Sequence, residues 1–481
     1  MTKELRESLD SEEFLLPHRY YDADRSCRPQ RRSGMSQYIL RRQFIVSCAA
    51  FAVFAAVTLA LFMLVKAPAQ LRDLLAVSPV TNLEDAQSYV LGPPTQSFRD
   101  NLRNDTKYIT SWLNAGWTND VMTIGNLLYL ALITERVPII PRFIPSHIGP
   151  DALDIPFGHV FDVPRLSKTL GIPILEWDQV KDVQSTVVDE LGCWAVWPVV
   201  SEEDAPPRGS PVVQNLKLDL SHTRVPAWVK LTQPGIPDKH ASLWSLARLS
   251  FPEARAEALT QPPIPSPQNQ VSLPPDDHLL CYDYLYYTAV ASAWEWNWDY
   301  SPAWRFVGRH MHWNATLVKL AEEHARRAMK VPDNEPTPAY ISIHIRHGDF
   351  RTYCNSIPED QCFTPIPAIA RRVAEVQQDL LDRKGIHVTQ VIMTSDERDP
   401  NWWAEIAKLG WTWVDYAAER TVERYGKWYP LLIDAIIQSR GAGFVGTEYS
   451  TMTTVALRRV QDWSDGPVRV TRWGWPGADD H

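Results

Sequence analysis

The sequence predicts an α/β protein with parallel, doubly wound sheets, preceded by a single transmembrane helix. Three observations carry this. From Ala339 onward, strand and helix patterns alternate four times, as in a parallel sheet with helical crossovers. A strand–glycine turn–helix–strand unit occupies 108–141, a βαβ signature. Nearer the N-terminus, Phe44–Val65 is an uninterrupted apolar run without a charge, long enough to span a bilayer as a helix. At 481 residues the chain exceeds one compact core, so two folded domains are expected. A net charge of −9 argues against a nucleic-acid partner.

Residues 1–42 are polar and mixed in charge and read as a cytosolic tail. The apolar run begins too far into the chain for a cleavable signal peptide. Its preceding flank, 25–42, holds six Arg and no acid. The positive-inside rule therefore leaves the N-terminus in the cytosol and carries the rest across the membrane. The anchor is placed at 43–65 and a stem at 66–104, with Gly92-Pro-Pro-Thr as a breaker. A first folded domain is expected at 105–300 and a second at 301–481.

Cysteine usage fits an oxidising lumen. Cys193, Cys281, Cys354 and Cys362 all lie beyond the anchor, an even number that permits two disulfides in three pairings. Cys354–Cys362 with Cys193–Cys281 is preferred, because the first pair closes a short loop. Two N-glycosylation sequons, Asn104-Asp-Thr and Asn314-Ala-Thr, lie on the same side. No Cys/His set has zinc spacing.

Tyr108-Ile-Thr-Ser-Trp-Leu113 reads as a strand and Asn114–Asp120 as a turn centred on Gly116. A helix follows, with Val121, Ile124, Leu127, Leu128, Ala131 and Leu132 at helical spacing. Asn119 or Asp120 is the expected N-cap, and Val137–Pro141 is the next strand. The turn either holds a sugar or phosphate on its backbone N–H groups or is an ordinary β–α connection. It lacks Gly-x-Gly-x-x-Gly, so it is no dinucleotide fingerprint.

Residues 151–280 are less regular. Gly171–Trp177 suggests a strand and His240–Arg248 a short helix, and prolines cluster at 206–211 and 262–275. Trp294, Trp296, Trp298, Trp304 and Trp313 crowd one region; they either stack on a sugar or pack as a core or interdomain wedge. Pro302–Lys330 is predicted as one helix.

The second half opens on Tyr340–Phe350, where Ile341, Ile343 and Ile345 alternate with Tyr340, Ser342, His344 and Arg346. That is a strand delivering His344 and Arg346 to its C-terminal end. A helix through Ile369, Val373, Val376 and Leu380 follows, stopped by Gly385. Strands are then expected at His387–Thr394, Trp411–Asp415 and Gly443–Thr447, and helices at Trp402–Leu409, Pro430–Ser439 and Met452–Val460. Three loops leave the C-terminal strand ends. They carry His344, Arg346 and Asp349; then Ser395, Asp396 and Glu397; then Thr447, Ser450 and Thr451. Hydroxyls before a helix N-terminus suit phosphate. A guanidinium at a strand end suits a bidentate grip on a diphosphate. Asp396 can accept hydrogen bonds from a ribose or base. There is no P-loop.

His344-x-Arg-x-x-Asp-Phe350, Met393-Thr-Ser-Asp-Glu397 and Val445-Gly-Thr-Glu-Tyr-Ser-Thr451 with Arg458-Arg459, together with the Ala115-Gly-Trp-Thr-Asn119 turn, resemble the GDP-fucose-dependent O-fucosyltransferases and their relatives. The resemblance spans roughly 107–143 and 338–460. It implies a GT-B fold of two Rossmann-like halves, with the donor held mainly by the second. It implies that Arg346 grips the GDP diphosphate, that Asp396 serves the guanosine, and that Ser450 and Thr451 hold phosphate. His344, Thr447, Gly116, Trp117 and Asn119 complete the expected donor contacts. Inversion at fucose without a required metal or other cofactor is implied as well. Two departures matter. The family's turn usually reads Gly-Gly-x-Asn, and the acid that serves as base in one branch corresponds to Ala115 here. Asp120 and Asp349 are the carboxylates left for that role. The expectation is a single-pass type II fucosyltransferase of the Golgi or endoplasmic reticulum. It would act in the lumen on a protein or glycan acceptor. Another nucleotide-sugar transferase, or an inactive lectin- or chaperone-like protein on the same fold, is the alternative.

Overall fold

Apolar strands that must bury both faces need helices above and below them, and this chain supplies them twice. A computed structural model describes residues 86–149, 151–201, 205–232, 239–332 and 334–480. The predicted anchor and tail lie outside the described residues. Among the described residues no helix is long and apolar enough to cross a membrane. All of them belong to the unit Asn82–His481.

The first half contains β1 (Tyr108–Ser111), α1 (Trp117–Thr134), β2 (Val137–Ile140), β3 (Leu175–Glu176), β4 (Asp189–Ala195), β5 (Leu218–Arg224), β6 (Ala241–Ser242), β7 (Leu279–Tyr282) and β8 (Thr288–Ala289). Six of these form one sheet in the order β3-β2-β1-β7-β4-β5, parallel throughout. Then come α2 (Ala315–Ala328), β9 (Tyr340–Ile345), α3 (Ile366–Lys384), β10 (Gln390–Ser395), α4 (Pro400–Lys408), α5 (Trp428–Arg440), β11 (Gly443–Thr447), α6 (Thr451–Ser464) and β12 (Val468–Thr471). The second sheet runs β10-β9-β11-β12, again all parallel.

The pleat of β9 works as its alternation predicts. Ile341, Ile343 and Ile345 pack on Ile369, Val373, Val376 and Leu380 of α3, each buried Ile contributing roughly 1.5–3 kcal/mol. The opposite face meets α5. There the Tyr340 hydroxyl donates to the Ile437 carbonyl (3.0 Å) and Ser342 Oγ to the Gln438 carbonyl (2.8 Å). One apolar core runs from α1 through Trp304 and Trp313 to α5, so the two sheets share a packed interface.

Several expectations are corrected. The folded body starts earlier than the predicted end of the stem. Phe98 and Leu102 are buried, and Asn101 donates to the Gln179 and Val180 carbonyls. Helix α1 is capped by Gly116, not Asn119 or Asp120. Pro302–Lys330 is three pieces: Pro302–Phe306, a 3-10 turn Gly308–His310, and α2. A Cβ on Gly308 would clash with Trp304 and Trp296, and Asn314 caps a new helix by accepting the Thr316 N–H. Trp411–Asp415 is no strand; only Thr412 bridges to Ile392. The predicted strand at Gly171–Trp177 is reduced to β3, with Gly171 closing the helix before it. Helix α5 starts at Trp428, two residues ahead of the proline expected to open it.

Both disulfides have the preferred pairing. Cys193–Cys281 joins neighbouring strands β4 and β7, and Cys354–Cys362 closes the loop after β9.

Candidate functional site

In chain order the second sheet runs second-first-third-fourth, so its topological switch point lies between β9 and β11. Ligand crevices of open α/β sheets form there, beyond the C-terminal strand ends. The backbone itself marks the spot. The Arg346 N–H donates to Thr447 Oγ1 (3.0 Å), and that hydroxyl donates to the His344 carbonyl (3.3 Å). Thr447, expected as a donor contact, therefore spends its hydroxyl stapling β9 to β11.

Arg346 emerges from this staple with its fork engaged on both prongs. Nη2 lies 2.7 Å from Asp349 Oδ1, and Nη1 lies 2.8 Å from Asp396 Oδ2. The two carboxylates differ in role. Asp349 is 60% exposed and Asp396 26%. Asp396 also accepts the His347 N–H (2.8 Å), so it orders the loop, where a nucleoside contact was expected. That contact requires Gly348, because a Cβ there would fall 2.1 Å from Asp396 Oδ2. Next along, His347 Nδ1 and Arg351 Nη2 both meet Glu397 Oε2, at 2.6 and 2.8 Å. Burial alone would raise the Glu397 pKa. Hydrogen bonds from the Asp399 N–H, His347, the Arg398 N–H and Arg351 outweigh it and bring it down to about 2.

His344 is buried at the crevice floor, with neither ring nitrogen hydrogen-bonded. Burial first, and then the charge of Arg346, push its pKa down to about 4, so the ring is neutral near pH 7. Its strand neighbours are Thr394 and Gly446. Gln438 Nε2 donates to Thr394 Oγ1 (2.8 Å), while Gln438 Oε1 and Thr453 Oγ1 are likewise buried without a partner. A cluster of unspent polar atoms thus lies behind Arg346.

The third loop reaches the first half of the molecule. Tyr449 adopts φ +66°, a left-handed conformation uncommon outside glycine, and Ser450 follows as the N-cap of α6 with no side-chain capping bond. Thr451 Oγ1 lies 2.7 Å from Thr118 Oγ1. The N-termini of α6 and α1 therefore meet, and both present unpaired N–H groups and the positive end of a helix dipole. Gly116 and Asn119 stand in this first turn of α1, and His147 approaches Gly116. Asp120 is wholly buried there, as is Ala115 nearly so.

Trp117 does not join the crevice as expected. Its ring is buried, near-parallel to Phe161 and Trp313 (6.5 and 5.9 Å). Arg459 of the same motif set lies over Trp313 at 4.1 Å, and burial pushes its pKa down to about 9; it belongs to the core. The tryptophan-rich stretch divides residue by residue. Trp296, Trp304 and Trp313 are core, while Trp298 is exposed and near-parallel to Tyr300 (6.2 Å, 6°). Their loop is tied to α6: Thr454 donates to Asn297 Oδ1 (2.8 Å), and Arg458 donates to the Asn297 carbonyl.

Arg346, Asp349 and Asp396 are thus in direct contact at the C-terminal end of β9, with His344 beneath them, and Ser450 and Thr451 open α6 where it meets the first turn of α1 with Gly116 and Asn119. Thr118, His347 and Tyr449 were missed by the sequence reading. Thr118 had a signal, a hydroxyl two residues past the turn glycine at a helix start. Asn104 lies on an exposed turn and Asn314 at the α2 cap. Among the described residues no group of three or more His, Cys, Asp or Glu could hold a metal ion.

No protein-family model and no curated protein sequence matches the chain. Among solved structures it is similar to POFUT1 in complex with GDP-fucose, with a TM-score of 0.45 and 14% identity, covering 76% of this chain and 98% of that one. POFUT1 with GDP gives 0.46 and 16%, covering 76% and 99%. The fucosyltransferase NodZ from Bradyrhizobium gives 0.36 and 13%, covering 73% and 92%.

Proposed function

We propose that the chain is a GT-B glycosyltransferase that moves fucose from GDP-fucose to a glycoprotein or glycan acceptor. The second sheet would hold the donor and the first sheet the acceptor. The observation that carries this reading is Arg346 at the switch point, forked between two carboxylates beside the meeting N-termini of α1 and α6. Asp349 is solvated, so a diphosphate can take its prong at small cost, while Asp396 keeps the guanidinium aimed. The helix N-termini accept the remaining phosphate oxygens. As the bond from fucose to GDP breaks, negative charge grows on the diphosphate and Arg346 neutralises it. An acceptor hydroxyl attacks the opposite face of the anomeric carbon, giving inversion. Of the two carboxylates available as base, Asp120 is wholly buried and Asp349 is exposed, so Asp349 is the one solvent and an acceptor can approach. The exposed Trp298–Tyr300 pair offers flat rings to an acceptor.

Two disulfides beyond the apolar run support a secretory-pathway lumen. The reading therefore takes a type II anchor in the Golgi or endoplasmic reticulum. An N-terminal tag should be digested by protease in intact microsomes; a protected tag reverses the orientation.

A second reading is a GDP-binding protein without transfer. Ala115 beside the turn glycine favours it, because no acid stands there. The deciding experiment is GDP release by the purified protein from GDP-fucose and a panel of other nucleotide sugars. Release from GDP-fucose supports the enzyme, and release from another donor corrects the sugar. GDP binding without release from any donor supports the second reading, and no binding overturns both.

A further inference from the structure

Away from the crevice, a groove of about 410 Å³ lies where the two halves meet on another face. Asn314 and Thr316, two members of one sequon, line it together with His159, Tyr425, Tyr429 and Lys319. Its wall is aromatic. Tyr425 and Tyr429 sit 5.4 Å apart, and His159 meets Tyr429 edge-on, with Nε2 3.1 Å from the hydroxyl. Asn314 is already oriented. Its Oδ1 accepts the Thr316 N–H (2.9 Å), and its Nδ2 donates to the Gly158 carbonyl (3.2 Å).

We propose that this groove seats the first sugar of an N-linked glycan carried by Asn314. The inference rests on the luminal location proposed above. In glycosylation the Nδ2–C1 bond replaces one Nδ2–H; that proton and the lipid-diphosphate carrier of the oligosaccharide leave. One Nδ2–H remains, so the bond to Gly158 survives. The sugar starts inside the groove, where the C–H face of a pyranose packs on Tyr425 and Tyr429. Lys319, Glu323 and the His159–Tyr429 pair offer hydrogen bonds to its polar substituents. His159 belongs to the first half and Tyr429 to α5 of the second, so the seated sugar braces the two. Asn104, on an exposed turn, is the internal comparison.

The test is site-resolved release of glycans by a peptide N-glycosidase from the native full-length protein, made in a eukaryotic secretory host and followed by mass spectrometry. Both sites should be occupied, with Asn314 released about tenfold more slowly than Asn104, the protection expected of stacking on two rings. Tyr429→Ala and, separately, Tyr425→Ser should speed release at Asn314 alone. Thr316→Ala, which removes this glycan, should lower the melting temperature. An unoccupied Asn314 beside an occupied Asn104 overturns the inference and leaves the lumen standing. Both sites unoccupied removes the luminal reading itself. Equal release rates in the parent protein overturn the seating, whatever the variants do.

Discussion

Arg346 holds two carboxylates at once, and that double pairing separates a structural arginine from a poised one. A purely structural arginine would be buried with its partners, whereas this guanidinium is one-third exposed and its outer partner mostly so. Exposed pairs of this kind contribute little to stability, about 0–1 kcal/mol. We therefore expect Arg346→Lys and Arg346→Ala to melt near the parent temperature. Losing one preorganised charge contact costs roughly 3–4 kcal/mol in the transition state, a hundred- to thousandfold in GDP release from GDP-fucose. Near-normal turnover in Arg346→Ala would remove the donor site from this crevice. Failure to fold would make the arginine structural. A second residue-scale expectation concerns Asp434, half-buried on α5 and hydrogen-bonded to Tyr416. Burial pushes its pKa from the ordinary 3.8 up to about 7, against the opposing Tyr416 hydrogen bond. The folded state then keeps a proton that the unfolded chain has released. Stability from this group accordingly falls as the pH rises from 3.8 through 7. Asp434→Asn should melt higher than the parent at pH 8, by an amount equivalent to a few kcal/mol at most, by less at pH 5, and alike near pH 3. Equal melting at all three pH values would show that the carboxyl is ionised without cost.

At the scale of elements, the contact between Thr118 and Thr451 joins two helix N-termini across the halves. Thr118→Val keeps shape and removes the hydroxyl. Removing one partner of a hydrogen bond costs about 1 kcal/mol of stability, so the melting temperature should fall slightly, and GDP affinity should fall as well because the two helix N-termini lose their tie. Unchanged affinity, measured by calorimetry, would place the diphosphate away from α1. Elements also show which parts of the chain spoke plainly. The run of β9, α3 and β10 was legible because β9 alternates, β10 is a short apolar run Val391-Ile-Met393, and α3 has one apolar stripe closed by a left-handed Gly385. Strand β5 went unread. Leu218 and Leu220 alternate with Asp219 and Ser221, which looks like a solvated face. In fact Asp219 accepts from Ser266 Oγ, Gln268 N–H and Asn269 N–H, and Ser221 Oγ donates to the Val271 carbonyl. The proline-rich segment covers the sheet and satisfies its polar side, a partnership between distant stretches that no local pattern carries. At 411–415 the opposite happened. Alternating Trp411 and Trp413 look like a strand, yet they pack as side chains against the second core while the backbone pairs at one residue. The crevice followed the same logic. Arg346 and Asp349 share one loop and were readable, whereas Thr118 meets Thr451 only through the fold.

For the whole molecule, the shared core from α1 to α5 means the two sheets should unfold together, although each is topologically complete. The two disulfides test this, because they load different parts. Cys193–Cys281 links adjacent strands of the first sheet across 88 residues of chain, and Cys354–Cys362 closes 8 residues beside Arg346. In the chain-entropy account the long loop is worth roughly 4.6 kcal/mol and the short one roughly 2.5 kcal/mol. The consequences for function should run the other way. The turn Gly348–Cys354, with Asp349 and the Arg351 clamp on Glu397, precedes the short loop and is anchored to it at Cys354. We expect Cys193→Ala/Cys281→Ala to melt lowest, in a single transition reported alike by tryptophan fluorescence and far-ultraviolet circular dichroism. Cys354→Ala/Cys362→Ala should melt closer to the parent but bind GDP more weakly, because the turn that carries Asp349 and Arg351 loses its anchor at Cys354. Two separated transitions in the first variant would show that the sheets are independent domains despite the continuous core. Unimpaired GDP binding in the second would show that the fork of Arg346 is set by Asp396 and Thr447 alone.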